Sequence, residues 1–187
     1  MECADVKVCP GGKVLNLFEA VKHRLLSVEG TKIVYFVCGI PDICKRSKNR
    51  RPLYEESFLD MECTEESIVD SYIQKLYQVA NELKLIGSHS VFATICTYNF
   101  EMWNNHRLTA GKTTYLQYSS QYAAMQDRLN SMLVVVNQRI TALNSENGFS
   151  TPFFHSFINQ RCANGKIRLL INMENWWMVC TRLTTSD

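Results

Sequence analysis

Two short runs of β-branched and aromatic residues constrain the fold of this chain more than any other feature. Residues 33–38 read IVYFVC and residues 91–97 read VFATICT, and a glycine stands a few positions before each run. Such runs are typical of strands that are covered on both faces of a sheet. Both are far shorter than the roughly 20 apolar residues that a membrane-spanning helix needs. We therefore predict two buried strands and no membrane segment.

Helical periodicity surrounds these runs. Apolar residues recur every three or four positions over residues 14–28, 69–83 and 118–143. A short alternation at residues 6–9 comes before the first of these patterns, and residues 167–171 are a further candidate strand. Because strands alternate with helices, the sequence predicts an α/β fold with three layers, a mostly parallel sheet and right-handed crossovers.

The composition fits one compact domain over residues 1–187, with residues 166–187 as an atypical tail. The chain has 187 residues, of which 46% are hydrophobic, and its net charge of +2 gives no global reason to expect a polyanionic partner. Its eight cysteines include no Cys-x-x-Cys pair. We expect reduced thiols, no metal, no cofactor and, without a signal-like leader, an intracellular and cytoplasmic location.

Two polar segments are predicted to be loops. One contains the five cations Lys45, Arg46, Lys48, Arg50 and Arg51, and an acidic stretch without any Lys or Arg follows it. The five cations are candidate phosphate contacts, but the acidic stretch favours self-neutralisation, so nucleic acid is the less favoured partner. The basic residues and the acidic stretch together are expected to form a surface loop that runs into the start of a helix. The other predicted loop covers residues 101–111.

Several motifs in this order resemble the SGNH (GDSL-like) esterase family. Residues 6–13 read VKVCPGGK, and the run at 33–38 ends in Gly39-Ile40-Pro41-Asp42. Trp103, Asn137, Asn144 and residues 151–155 (TPFFH) are similar to esterase-like domains that transposable elements carry. The resemblance extends from residue 6 to about residue 165 and implies a flavodoxin-like, SGNH-like sheet.

The resemblance also implies an oxyanion hole. Gly11 or Gly12 would supply a backbone N–H, and Gly39 and Asp42 would frame the block that carries the family's asparagine. Pro41 stands at the asparagine position, and proline offers neither a side-chain amide nor a backbone N–H. Loss of one oxyanion donor typically lowers turnover by about 100 to 1,000-fold.

The family's other catalytic blocks are not recognisable. No Gly-Asp-Ser stands before residue 6, and the tail contains no Asp-x-x-His. However, the codons of residues 175–179 (NWWMV), read from the last base of the Asn175 codon, spell Leu-Val-Asp-Gly, and those of residues 180–182 permit Val-His-Pro. That string resembles the family's catalytic Asp-His block. We hypothesise that a frameshift between about residues 165 and 175 removed it.

The favoured interpretation is a degenerate, catalytically inactive SGNH-like domain that acts as a binding or scaffold module. One alternative is an active ester hydrolase in which Cys9, Cys38 or Ser47 is the nucleophile and His23 or His155 the base. A second alternative is a nucleic-acid-binding accessory protein.

The resemblance makes one further prediction about the sheet. In the family's strand order, the first strand lies between those that match residues 6–9 and 33–38, and this chain lacks it. We predict that these two strands pair directly, because unpaired backbone groups inside a sheet are costly. Marginal stability and self-association are also expected.

Overall fold

A computed structural model describes residues 4–8, 12–51, 54–61, 66–97, 99–109, 122–152 and 178–183 of the chain, which has a mixed α/β architecture. The strands are β1 (Ala4–Val8), β2 (Lys32–Val37), β3 (Cys44–Arg51), β4 (Tyr54–Met61), β5 (Ser88–Phe92) and β6 (Met178–Leu183). The helices are α1 (Val14–Ser27), α2 (Ile40–Ile43), α3 (Glu66–Leu85), α4 (Phe100–Thr109) and α5 (Tyr122–Glu146).

The core forms where the helical patterns predicted it. The apolar positions of α1, α3 and α5 form one hydrophobic cluster with buried residues of β2 and β5, and Phe36 stacks on Phe92 at a centroid distance of 5.3 Å. The largest fully buried side chains are Tyr72, Phe18, Phe36, Phe92, Phe100, Leu17, Ile43, Leu76, Leu83, Leu129, Ile140 and Leu143. These positions confirm the amphipathic faces predicted for the three long helices.

The main sheet has the strand order β1-β6-β2-β5. β2 and β5 pair in parallel, whereas β6 is antiparallel to both of its neighbours, with Cys180 opposite Val6 on one side and opposite Tyr35 on the other. The predicted direct pairing of β1 with β2 is therefore wrong. Instead β6, a strand from the tail, lies between β1 and β2 and pairs with both. It thereby provides partners for the backbone groups of β1 and β2 that direct pairing would have satisfied.

The prediction of a mostly parallel sheet also needs correction. Only one of the three strand pairings in the described part of the main sheet is parallel. β1 and β2 run in the same direction, as a crossover through α1 requires. β6 lies between them and runs in the opposite direction, so both of its pairings are antiparallel.

Both predicted loops form regular structure. The basic segment is β3, which pairs with β4 as a separate antiparallel sheet, so the predicted surface loop is wrong, whereas the helix expected at the end of the acidic stretch is present as α3. Its register places Lys45 opposite Asp60 and Arg50 opposite Glu55. Residues 100–109 form α4, where Asn99 Oδ1 accepts the Met102 N–H at 2.8 Å as an N-cap.

Other predictions lie at the limits of the described chain. The candidate strand at residues 167–171 lies outside the described residues, and α5 begins at Tyr122 within the predicted 118–143 pattern. β5 begins earlier than predicted, at Ser88, and ends at Phe92. Among the described residues, no helix combines the length and apolar character needed to span a bilayer.

Candidate functional site

The candidate site lies at the carboxyl ends of β2 and β5, where an α/β sheet usually binds its ligands. β2 ends at Val37, and two residues later stands Gly39, whose φ of +140° lies in a region that L side chains rarely adopt. A Cβ on Gly39 would lie 2.9 Å from Tyr72 Oη and would collide with the Ile95 side chain. Glycine is therefore required here both by the backbone conformation and by the close approach of Tyr72 and Ile95.

Asp42 caps helix α1, which comes earlier in the sequence. Its Oδ2 accepts the Val14 N–H at 2.9 Å, and this N–H belongs to the first turn of α1. The residue before the helix, Lys13, makes no side-chain capping hydrogen bond. The carboxylate of Asp42 thus occupies the electropositive helix end where an exogenous anion could otherwise bind.

Burial dominates the electrostatics of Asp42. Its side chain is fully shielded from solvent, and this desolvation raises the pKa of the carboxyl above its ordinary value. The Val14 N–H and Lys75, whose Nζ lies 3.5 Å from Oδ1, oppose the shift without cancelling it. Asp42 is therefore held by α1 and by Lys75 on α3, a structural role that the sequence reasoning missed.

The other predicted oxyanion residues are only partly brought together. Pro41 lies in the first turn of α2, beside Asp42, and Gly12 is half-buried just before α1. Gly11 lies outside the described residues. Tyr72 is a neighbour that the sequence reasoning assigned only to the core, and its hydroxyl donates to the Cys38 carbonyl at 3.2 Å.

The candidate nucleophiles do not share one environment. Cys38 is 6% exposed, and desolvation, followed by the charge of Asp42, raises the pKa of its thiol far above the ordinary value. A nucleophilic thiol needs the opposite shift. His23 is exposed on α1. Ser47 is a position of β3, while Cys9 and His155 lie outside the described residues.

Within the described residues, asparagine side chains of α5 hydrogen-bond backbone groups at the end of β5 and just after it. Asn144 is fully buried; its Oδ1 accepts the Phe92 N–H at 3.0 Å and its Nδ2 donates to the Phe92 carbonyl at 2.7 Å. Nδ2 also donates to Thr151 Oγ1 at 3.0 Å. Asn137 repeats the arrangement on Ile95, with distances of 2.7 and 3.0 Å.

These two asparagines belong to an amide stripe along α5, which consists of Gln126, Asn130, Asn137 and Asn144. Asn130 Oδ1 accepts the Thr97 hydroxyl, and Gln126 Oε1 accepts the Phe100 N–H that starts α4. Seven residues of helix rise about 10.5 Å, and three residues of extended chain span about 10 Å. Asn137 and Asn144 therefore match Ile95 and Phe92 in spacing, and the amide stripe holds the segment that enters α4.

Two further polar groups lie on β5. The hydroxyls of Ser88 and Ser90 are buried and have no hydrogen-bond partner in the described part of the chain. They lie on alternate positions, so they share one face of the strand. Both precede Phe92 and are therefore displaced from the carboxyl end where Gly39 and Asp42 lie.

The five candidate phosphate contacts are positions of β3, which belongs to the separate two-stranded sheet. Within the described ranges, no group of three or more His, Cys, Asp or Glu side chains is placed to hold a metal ion. Comparisons with protein-family models, with curated proteins and with solved structures found no match to this chain.

Proposed function

We propose that this chain is a catalytically inactive domain with an SGNH-like, three-layer arrangement and that it acts as a binding or scaffold module. The observation that carries the proposal is the use of Asp42. Its carboxylate accepts the Val14 N–H at the helix end beside Gly39 and Pro41, so a built-in anion occupies this donor. An oxyanion generated here would meet a carboxylate instead of free N–H donors.

The position of β6 adds support. The resemblance places a strand between the two that match β1 and β2, and β6 lies between them in the reverse direction. In the family the central strand leads directly to the serine nucleophile at the carboxyl edge. A strand of opposite direction presents its other end at that edge, and hence cannot deliver a nucleophile in the same way.

An esterase assay tests the proposal. The purified chain and a heat-denatured sample are incubated with p-nitrophenyl acetate, and a fluorophosphonate probe reports on any activated serine. We expect the two samples to hydrolyse the ester at the same rate and no fluorophosphonate labelling, because on this proposal the chain has no activated nucleophile. Saturable turnover that Cys38→Ala, Ser47→Ala or His23→Ala abolishes would instead establish the hydrolase alternative.

A further inference from the structure

The exposed residues of α5 between positions 131 and 145 are all uncharged. Ser131, Val135, Gln138, Ala142 and Ser145 belong to this exposed set and recur at spacings of four, three, four and three residues. At these spacings the side chains form one line along a helix, like the contact positions of a two-helix coiled coil. We call this line the α5 seam, and at 1.5 Å per residue it is about 21 Å long.

This side of α5 is also partly apolar. Val134 and Val135 are 58% and 42% exposed in the interior of the helix. Valine is a weaker helix former than alanine, and at these positions it gains little from burial in the core. Arg139 lies beside the seam, half-buried, and forms an ion pair with Asp70 of α3, so its charge is balanced within the chain. The α5 seam therefore offers apolar and small polar side chains, and it has no charge for an acidic or basic partner to match.

We propose that the α5 seam binds the α5 seam of a second copy of this chain, with the two helices antiparallel. The face of a two-fold symmetric dimer must be complementary to itself. A two-fold axis at Gln138 sets Ser131 opposite Ser145 and brings two small residues together. It also sets Val135 opposite Ala142, so the helices can approach closely. Gln138 then meets its own copy, and a side-chain amide can both donate to and accept from an identical group. This inference goes beyond the proposed scaffold function and does not depend on the state of the esterase-like site.

The charges at the two ends of α5 favour this orientation. Arg128 lies seven residues before Val135 and continues the line of the seam, and Glu146 follows the seam at the other end of the helix. The antiparallel arrangement brings Arg128 to the C-terminal end of the second α5, where Glu146 and the helix dipole both favour a cation. A parallel arrangement would set Arg128 against Arg128. Because a contact between two helices is smaller than the roughly 800 Å² per partner of a standard interface, we expect a weak, concentration-dependent dimer.

Sedimentation equilibrium of the full-length chain from micromolar to millimolar concentration tests the proposal. The average mass should rise towards that of two chains. Gln138→Glu and Gln138→Lys each place like charges at the axis, so each should weaken dimerisation at least about tenfold, and an equal mixture of the two variants should dimerise again. The same substitutions at Asn16, an exposed amide on α1, should change nothing. A native chain that stays monomeric, or a mixture that does not recover, would overturn the proposal.

A second set of variants tests the orientation of the two helices. Arg128→Glu should weaken dimerisation, because it sets a carboxylate against Glu146 of the second copy. Adding Glu146→Lys to the same chain should restore dimerisation, since opposite charges meet again with their positions exchanged. In a parallel dimer these two positions do not meet, so the second change would give no recovery and the antiparallel proposal would be wrong. Circular dichroism confirms that each variant remains folded.

Discussion

On the β5 side of the main sheet, asparagine side chains of α5 hydrogen-bond the backbone of Phe92 and Ile95. On the β1 side, the backbone of β6 pairs with the backbones of β1 and β2. Both arrangements give backbone N–H and C=O groups hydrogen-bond partners. They differ in the sequence separation of the residues that form them. The amide stripe consists of residues of one helix at spacings of four and seven, but the β1–β6 ladder joins residues from opposite ends of the described chain.

Backbone groups of a sheet can therefore be paired locally or through long-range ladders, with different consequences for stability. On the β5 side, truncating one side chain leaves backbone groups without partners. On the β1 side, ladder bonds depend on the main chain, and most side-chain substitutions leave them in place.

Asn144→Ala should be the most damaging change. It removes the partners of the buried Phe92 N–H and carbonyl, and each orphaned group costs about 1–3 kcal/mol, so the free energy of unfolding should fall by roughly 2–6 kcal/mol. Urea denaturation measures this loss. The matched control is Asn130→Ala, an exposed member of the amide stripe, for which we expect less than about 1 kcal/mol. Equal losses in the two variants would contradict a special role for Asn144.

Thr181→Pro should break the other side of the sheet. Thr181 lies opposite Asp5 in one ladder and opposite Val34 in the other, and proline cannot donate a backbone hydrogen bond. We expect a loss of about 1–3 kcal/mol. Hydrogen exchange should show lost protection in β1 and β2 while α5 stays protected.

Thr181→Val keeps the N–H and the branched shape, so its exchange pattern should match that of the native chain. Lost protection in α5 and β5 upon Thr181→Pro would show that the two sides of the sheet are not independent.

Asp42→Asn tests whether the negative charge of Asp42 affects the stability of the fold, since the variant can still accept the Val14 N–H. Asp42 has a raised pKa in the folded chain, so the folded state binds its proton more tightly than the unfolded state. This carboxyl therefore stabilises the fold below its ordinary pKa, and the contribution is lost as pH rises through the raised folded pKa.

The asparagine variant keeps an acceptor for the Val14 N–H, so we expect a change below about 1 kcal/mol at neutral pH. Denaturation midpoints across the acidic range should show a weaker decline with rising pH than in the native chain. An unchanged pH profile would mean that the burial of Asp42 contributes nothing to it.

Local periodicity explains which parts of the fold were predictable. Val69, Leu76 and Leu83 recur at the helical period, and all three are buried in α3 as expected. Asn99, a favourable N-cap residue, precedes α4 and was a sequence signal for this helix. The polar content of the segment nevertheless favoured a loop. The strand β6 was not predictable, since its place depends on a register with distant residues.

The candidate site shows the same limit. Gly39 and Asp42 were predicted to follow β2, and they do, but the role of Asp42 follows from a hydrogen bond to a residue 28 positions earlier. One signal pointed to it: Lys13 is a poor N-cap, so α1 needs an acceptor from elsewhere. The pairing of Asn144 with Phe92 spans 52 residues and left no pattern beyond the spacing of the amide stripe.

The central position of β6 has a consequence for the order in which the chain is made. A ribosome releases β1 first, yet the strand that joins β1 to the sheet is the last of the described strands to emerge. At about 5–20 residues per second, this delay is roughly 10 to 30 seconds. Throughout this interval the facing edges of β1 and β2 are open to any other extended peptide nearby, including a neighbouring nascent chain on the same message.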